Sequence, residues 1–412
     1  MKRVYILGLL AIILLLSGCW NQTALDQRAF VVAIGLDKGE EEGETKLTYL
    51  ISNPELSKQE SGSKEPNNEI LTFKAPDLLT ARNLANTVVA KELAYNLLNL
   101  IIVSEDMAKD GEFVKWIYDV TKGEETSRGI PIIVTRENTS KFLLENDPKL
   151  ETRIHKYFEF ILKFGSENGF IPATNLHSYF RIMEASGDLF LAPYATTEFK
   201  GDPKNIGGED DLIAGELEVE GRTNKTQFLG SALFKNGKMI GKLDAEETRL
   251  AIMLNDTIDM AEILATFPDP FNEKYRIGTR IMKKENNTVK MNLKKSTPTI
   301  DVTIPLYVDI LSNHSMVNYG ESPEKRKKLK TSMEDIIVKR INELIKKTQE
   351  DFKGQPFGWS LSARKQFKTI PEYEAYDWMS SYPNMDVKVN VNIIFGKFGR
   401  QSETPEFEEV KN

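Results

Sequence analysis

The spacing of apolar positions changes several times along the chain, and each change predicts a different element. An unbroken apolar run fills residues 4–16. A second run, Phe30 to Leu36, predicts a buried strand that ends in the charged, glycine-bearing turn 37–43. Leu47, Tyr49 and Ile51 recur at period two, so the two segments predict a hairpin. Residues 54–68 repeat Ser, Gly, Lys and Glu and predict a mobile excursion. From Ile70 the pattern alternates: strand 70–73, helix 78–93 with Leu79, Leu84 and Val88 on its apolar stripe, strand 98–103, helix 108–120 and strand 130–134. Two more helices are expected around 150–164 and 175–185. Such alternation favours a mixed sheet with crossover helices packed on it.

Residues 200–211 have the most linker-like composition in the chain, and the main domain boundary is expected there. Beyond it, strands are predicted at 215–219 and 227–234, the latter joined to 239–242 by a turn whose Asn236-Gly237 pair is a type I′ hairpin signal. Asp244 opens a helix with Glu246 and Glu247 in its first turn, where carboxylates suit the positive end of the helix dipole. Ile300, Val302, Ile304, Leu306, Val308 and Ile310 alternate with mostly polar residues, as do Met385, Val387, Val389, Val391 and Ile393. Each predicts a strand with one buried and one wet face. Between them, 323–352 carries an apolar stripe at helical spacing. The prediction is an α+β, multi-domain fold: a mixed α/β N-terminal domain at 19–199, a linker at 200–213 and a C-terminal domain at 214–400 of antiparallel sheet covered by a long helix. A subdivision near 250–275 is left open, and 401–412 is expected as a polar tail.

The head of the chain changes this picture. Lys2 and Arg3 precede the 13 apolar residues of 4–16, and Leu16-Ser17-Gly18-Cys19 follows directly. Crossing a bilayer as a helix takes roughly 20 residues, so the run fits a cleaved signal better than a permanent span. The tetrad resembles the bacterial lipobox, in which the cysteine thiol receives diacylglycerol before cleavage in front of it. Residues 1–18 are therefore expected as a lipoprotein signal peptide and Cys19 as the lipidation site. An ordinary signal peptide is the alternative. Cys19 is the only cysteine in the chain, so no internal disulfide is available to it. Anchoring of this kind needs two acyl chains, which a diacylglyceryl group supplies. Loss of Lys2 and Arg3 takes the formal net charge from −7 to −9, which gives no reason to expect nucleic acid and leaves membrane attachment to lipid.

Catalytic chemistry finds no support. His155, His177 and His314 stand far apart and outside any metal motif, and there is no GxSxG, GxxxxGK[ST] or GxGxxG. The acidic runs Glu40-Glu41-Glu42 and Glu209-Asp210-Asp211 read as solvated loop charge, and Lys325 to Lys328 as a solvated helix face. The late aromatics, Phe352, Phe357, Trp359, Phe367, Tyr373, Tyr376, Trp378 and Tyr382, read as packing before binding surface. No catalytic, cofactor-binding or metal-ligating residue is expected.

Ordered short motifs then point to a family. Gly18-Cys19-Trp20, Ala33-Ile34-Gly35-Leu36-Asp37, Leu97 to Glu105 and Arg128-Gly129-Ile130-Pro131 come in the first half. Gly230 to Lys235, Ile240 to Leu243, Glu246-Glu247-Thr248-Arg249, Arg364-Lys365, Trp378, Tyr382-Pro383 and Val387 to Ile393 follow. In this order they resemble the Ger(x)C, or GerAC-like, lipoproteins, the C subunits of spore germinant receptors. The resemblance implies a non-enzymatic receptor subunit, anchored on the outer face of the spore's inner membrane, with an A subunit and a polytopic B subunit as partners. The chain departs from the family at Lys242, where a tryptophan or similar residue is usual, at Leu250, where a glycine is usual, and in the degenerate Phe357-Gly358-Trp359. A substrate-binding lipoprotein of a transporter is the competing reading; it requires two similar lobes, whereas the two halves here differ in pattern.

Overall fold

The structure is a computed structural model that describes residues 27–41, 44–52, 68–123, 125–185, 187–201 and 211–398. Cys19, the expected signal peptide, the excursion at 54–67 and the tail at 401–412 lie outside the described residues, as do Glu42, Glu209 and Asp210.

The hairpin expected at 30–51 is β1 (Arg28–Lys38) and β2 (Thr45–Ser52), paired antiparallel. β1 is buried along almost its whole length because both faces of its sheet are covered, which is why it reads as a continuous apolar run. A bulge between Val31 and Ala33 resets the alternation. Val31, Ile34 and Leu36 consequently face one core and Val32 and Ala33 the other.

The first sheet continues through β3 (Asn68–Lys74), β4 (Glu92–Ala94), β5 (Leu100–Ser104), β6 (Ile132–Thr135), β7 (Phe190–Thr196), β8 (Gln227–Lys235) and β9 (Lys238–Leu243). The spatial order is β3-β2-β1-β5-β6-β7-β8-β9, with β4 beside the start of β1. Strands β1, β5, β6 and β7 run parallel, and the outer strands on both sides are antiparallel. On one face lie α1 (Leu78–Ala85), α3 (Phe113–Lys122) and α6 (Leu176–Ala185); on the other, α4 (Thr139–Glu145) and α5 (Ile154–Glu167).

The expected helix at 78–93 is shorter and turned over. It ends at Ala85, and the chain then enters β4 opposite Arg28. Ala81 and Ala85 meet the core, while Leu79, Leu84 and Val88 are exposed. The expected helix at 108–120 is split by Gly111, whose φ of +85° caps α2 (Glu105–Asp110) before α3 begins. The strand expected at 215–219 does not form. There the side chain of Gln227 replaces a ladder, accepting from the Gly215 and Leu217 amides at 2.8 and 3.3 Å and donating to the Leu217 carbonyl at 2.6 Å.

Strands β8 and β9 lie past the expected linker yet complete the first sheet, joined by the predicted turn with φ of 51° at Asn236 and 78° at Gly237. Their alternate side chains serve different cores. Ala232, Phe234 and Met239 pack in the first, whereas Leu233 and Leu243 join the core of the second sheet. The first sheet therefore runs on to Leu243, with its β7 and β8 on either side of 200–213.

α7 (Ala245–Leu254) starts with the predicted cap, a reciprocal box between Asp244 and Glu247. The second sheet comprises β10 (Ile263–Asp269), β11 (Asn272–Met282), β12 (Thr288–Asn292), β13 (Thr299–Asn313) and β14 (Asp386–Phe398). The long helix α8 (Pro323–Lys347) buries Leu329, Met333, Ile337 and Ile341 against Ile300, Val302, Ile304 and Leu306. One detail differs from the expected antiparallel sheet: β14 pairs with β13 in parallel. The helix is the reason, since it carries the chain back to the starting end, as a parallel pairing requires.

Candidate functional site: strand ends and the junction of the sheets

In open sheets with parallel central strands, ligands favour the carboxyl ends of those strands. Here those ends are occupied by their own capping bonds. Asp37, at the end of β1, accepts from the Thr139 amide at 2.8 Å and its hydroxyl at 2.7 Å, which starts α4. Burial pushes its carboxyl upward against these hydrogen bonds. Glu137 accepts from the Thr196 hydroxyl, the Thr197 amide and the Thr197 hydroxyl at 2.6 to 2.7 Å. Glu105 accepts from Tyr194 and Lys242, and Lys109 lies 2.6 Å away. Burial opposes ionisation of Glu105, but the bonds from Lys109 and Tyr194 and the charge of Lys242 together hold its carboxyl below the usual range. Lys242 also stands 4.9 Å from the centre of the Tyr194 ring, where its charge faces the aromatic π-system.

The second polar concentration lies where the sheets meet. A strap at 353–360 crosses from the end of α8 to the foot of β7. Asp188 is buried there and accepts from the Gln355 side-chain amide and from the amide and hydroxyl of Ser360. Burial drives its carboxyl up, and the hydrogen bonds from Ser360 and Gln355 only partly offset this. Gln355 also accepts from the Leu189 amide at 2.8 Å through its carbonyl, and from the Phe357 amide at 2.6 Å through its side chain. From the other side, Asn255 donates to the Pro356 carbonyl at 2.7 Å. Gly358 has φ of +72°, and a Cβ there would stand 2.9 Å from Asn255 Oδ1. Lys347, in the last turn of α8, bonds both carboxylate oxygens of Glu247 at 2.6 and 2.8 Å. A cleft of about 370 Å³ opens beside α7, with Glu246, Arg249, Phe267, Arg276 and Arg340 among its walls.

The residues singled out in the sequence are thus dispersed. His155 is on α5, His177 on α6 and His314 just after β13, and burial, then the charges of Lys156 and Arg153, lower the His155 pKa. Among the described residues, no three His, Cys, Asp or Glu side chains are grouped so as to hold a metal ion. Glu40 and Glu41 form a turn closed by Glu44, with Lys46 and Lys74 as counter-ions. Asp211 lies on the cleft wall. Lys327 and Lys328 are exposed on the first turns of α8, and Lys328 stands over Phe271 at 4.3 Å. The late aromatics pack mainly on one another: Phe357 with Trp359 at 4.7 Å, and Phe367 with Tyr376 at 5.3 Å. Arg128-Gly129-Ile130-Pro131 seats α6, whose His177 and Leu176 amides donate to the Arg128 and Ile130 carbonyls at 2.8 and 2.9 Å. Asp188, Gln355 and Asn255 were not foreseen. They are 67 to more than 160 residues apart and carry no local signal.

The structure is thus a two-sheet protein in which these polar groups join its parts. Two domain families match in the expected order: "Spore germination protein N-terminal domain" at residues 21–197, and "Spore germination B3/ GerAC like, C-terminal" at 229–399. The chain belongs to the GerAC-like spore germination family, the C subunits of spore germinant receptors. The putative spore germination protein YfkR of Bacillus subtilis (strain 168) is 19% identical over 392 residues, 92% of either chain. Spore germination protein YndF of the same organism is 22% identical over 416 residues, 93% of either chain. Spore germination protein A3 matches at 24% identity over 149 residues, covering 35% of this chain and 39% of its own. A crystal structure of the GerBC protein shares the fold at a TM-score of 0.52 and 14% identity, over 88% of this chain and 96% of that one. Membership implies association with other receptor subunits and with a spore membrane.

Proposed function

We propose that the mature chain begins at a diacylglyceryl Cys19, which tethers it to the outer face of the spore's inner membrane. There it works as the C subunit beside an A subunit and a polytopic B subunit, and its part in germination is structural rather than catalytic. The observation that carries this reading is the lipobox-like Leu16-Ser17-Gly18-Cys19, placed just before the point where the first family domain begins. Among the described residues, no helix is long and apolar enough to cross a membrane, so a tether from elsewhere is consistent with the body that follows. The strand ends support the non-catalytic part, because their carboxylates are engaged in capping and ion pairs.

The test is genetic and biochemical. Cys19→Ala is expected to leave the chain out of the spore membrane fraction and to slow germination with at least one nutrient. Solubilised membranes from the unaltered strain are expected to yield the A and B subunits along with the chain. Germination at the normal rate with every nutrient in a clean deletion strain would refute the reading.

A further inference from the structure

We propose that the lower rim of the first sheet, where Leu84, Val88 and Leu97 surround the start of β1, rests on the lipid bilayer with these side chains in its interfacial layer. The proposal rests on the anchor at Cys19. It adds which face of the protein the membrane covers, and hence which faces stay open to other subunits.

Chain length sets the geometry. Arg28, the first residue of β1, is nine residues beyond Cys19, a stretch that spans at most about 32 Å when fully extended. The eleven residues of β1 are themselves about 36 Å long. The tether is thus shorter than the strand it leads into. An upright body with the start of β1 pointing away from the lipid would outreach the tether, so the lower end of β1 is the end the chain can bring down to the bilayer.

The surface around that lower end sets large aliphatic side chains outward among exposed polar ones, Asn83, Asn86, Thr87, Glu92 and Asn96. An amphipathic helix in water buries its large aliphatic residues, whereas α1 turns Ala81 and Ala85 inward and leaves Leu79 and Leu84 outward. The loop after it carries Val88 and leads to β4, whose Glu92 lies directly opposite Arg28. Leu97 follows just beyond β4. Leu84, Val88 and Leu97 are 44, 65 and 48% exposed, and the order of elements puts the last turn of α1, the loop into β4 and the turn into β5 at the end of the sheet where β1 starts.

On α3, which packs beside α1, Tyr118 is exposed and packs on Phe180 at 4.9 Å. The Arg128 guanidinium lies 5.8 Å from the same Phe180 ring. A tyrosine and an arginine with apolar bodies and polar tips are the residue types that sit at headgroup level. The acyl chains supply the attachment; the aliphatic rim fixes the tilt and rotation of the body.

The test uses the full-length lipidated chain in vesicles of phosphatidylethanolamine and phosphatidylglycerol. With Cys19 acylated, nitroxide labels enter only at Val88→Cys, Leu97→Cys or, as the aqueous reference, Glu40→Cys in the turn at the opposite end. Collision with oxygen, relative to a water-soluble nickel chelate, is expected to rise several-fold at 88 and 97 over 40. Leu84→Cys gives a separate reading from the helix should a label disturb the loop. Equal nickel access at all positions while the chain floats with the vesicles would overturn the rim and leave the anchor standing. Failure of the lipid-bearing chain to float would overturn both. A photo-reactive group at position 97 that couples to protein rather than lipid in native spore membranes would also overturn the proposal, since a partner subunit would then cover this face.

Discussion

The junction of the two sheets depends on Asp188 as a hydrogen-bond acceptor rather than as a charge, and paired substitutions separate the two. Asp188→Ala removes the acceptor for the Ser360 hydroxyl and for one amide proton of Gln355, along with the long bond from the Ser360 amide, in a buried site. Each donor orphaned from a short bond costs about 1–3 kcal/mol, so the variant is expected to lose roughly 2–6 kcal/mol. At about 2–4 °C per kcal/mol, thermal unfolding should fall by on the order of 10 °C. Asp188→Asn keeps an acceptor on the Gln355 side and offers an amide to the Ser360 hydroxyl, so near neutral pH it should lose much less. The two also differ with pH. Burial raises the folded carboxyl above its unfolded value, so the native state holds its proton more tightly. The stability this provides is complete below the unfolded pKa and declines as pH rises above it. The asparagine variant lacks that decline, and its deficit relative to the parent should shrink from pH 5 to pH 8. Calorimetry at both values, with hydrogen exchange at the Leu189 amide, reads the effect directly. Equal losses for the two variants, or an asparagine deficit that grows with pH, would refute the reasoning.

Further expectations follow from the same contacts. Gly358→Ala adds a Cβ at positive φ and 2.9 Å from Asn255 Oδ1, and should cost at least about 1–2 kcal/mol, visible as faster proteolysis of the strap. Lys347→Met should lower the unfolding midpoint by a few degrees in low salt, because it leaves the half-buried Glu247 carboxylate without its cation, at a cost of about 1–3 kcal/mol. Burial, and then the Glu247 carboxylate, push the Asp244 carboxyl up to about 7. Its contribution to stability should therefore fall as pH rises from about 4 to 7, and Asp244→Asn should flatten that part of the stability profile measured by denaturant titration. Ile304→Ala, in a wholly buried position under α8, should cost about 2–5 kcal/mol by the same titration.

How much could be read in advance varied with how local the determining contacts are. β1, β13, β14 and α8 were legible because burial on one or two faces imposes a period that survives in sequence, and the turn at Asn236-Gly237 because its backbone demands those residues. The helix at 78–85 misled for a physical reason. Its leucines were assigned to the core by spacing, but the small Ala81 and Ala85 are what let it approach the sheet. The composition of 200–211 marks a connection and says nothing of where β8 pairs next, so its place in the first sheet was not legible. The direction of β14 depended on its partner rather than on its own pattern, and no pattern announced β7 or α4. The joining residues Asp188, Gln355 and Asn255 were silent, since each becomes meaningful only beside partners far along the chain.

The measurement that bears most directly on the account is the intact mass of the chain isolated from spore membranes, with its N-terminal peptide sequenced by fragmentation. The account predicts a chain lacking residues 1–18 with a diacylglyceryl adduct on Cys19. A free Cys19 thiol in a chain that still carries residues 1–18 would contradict it.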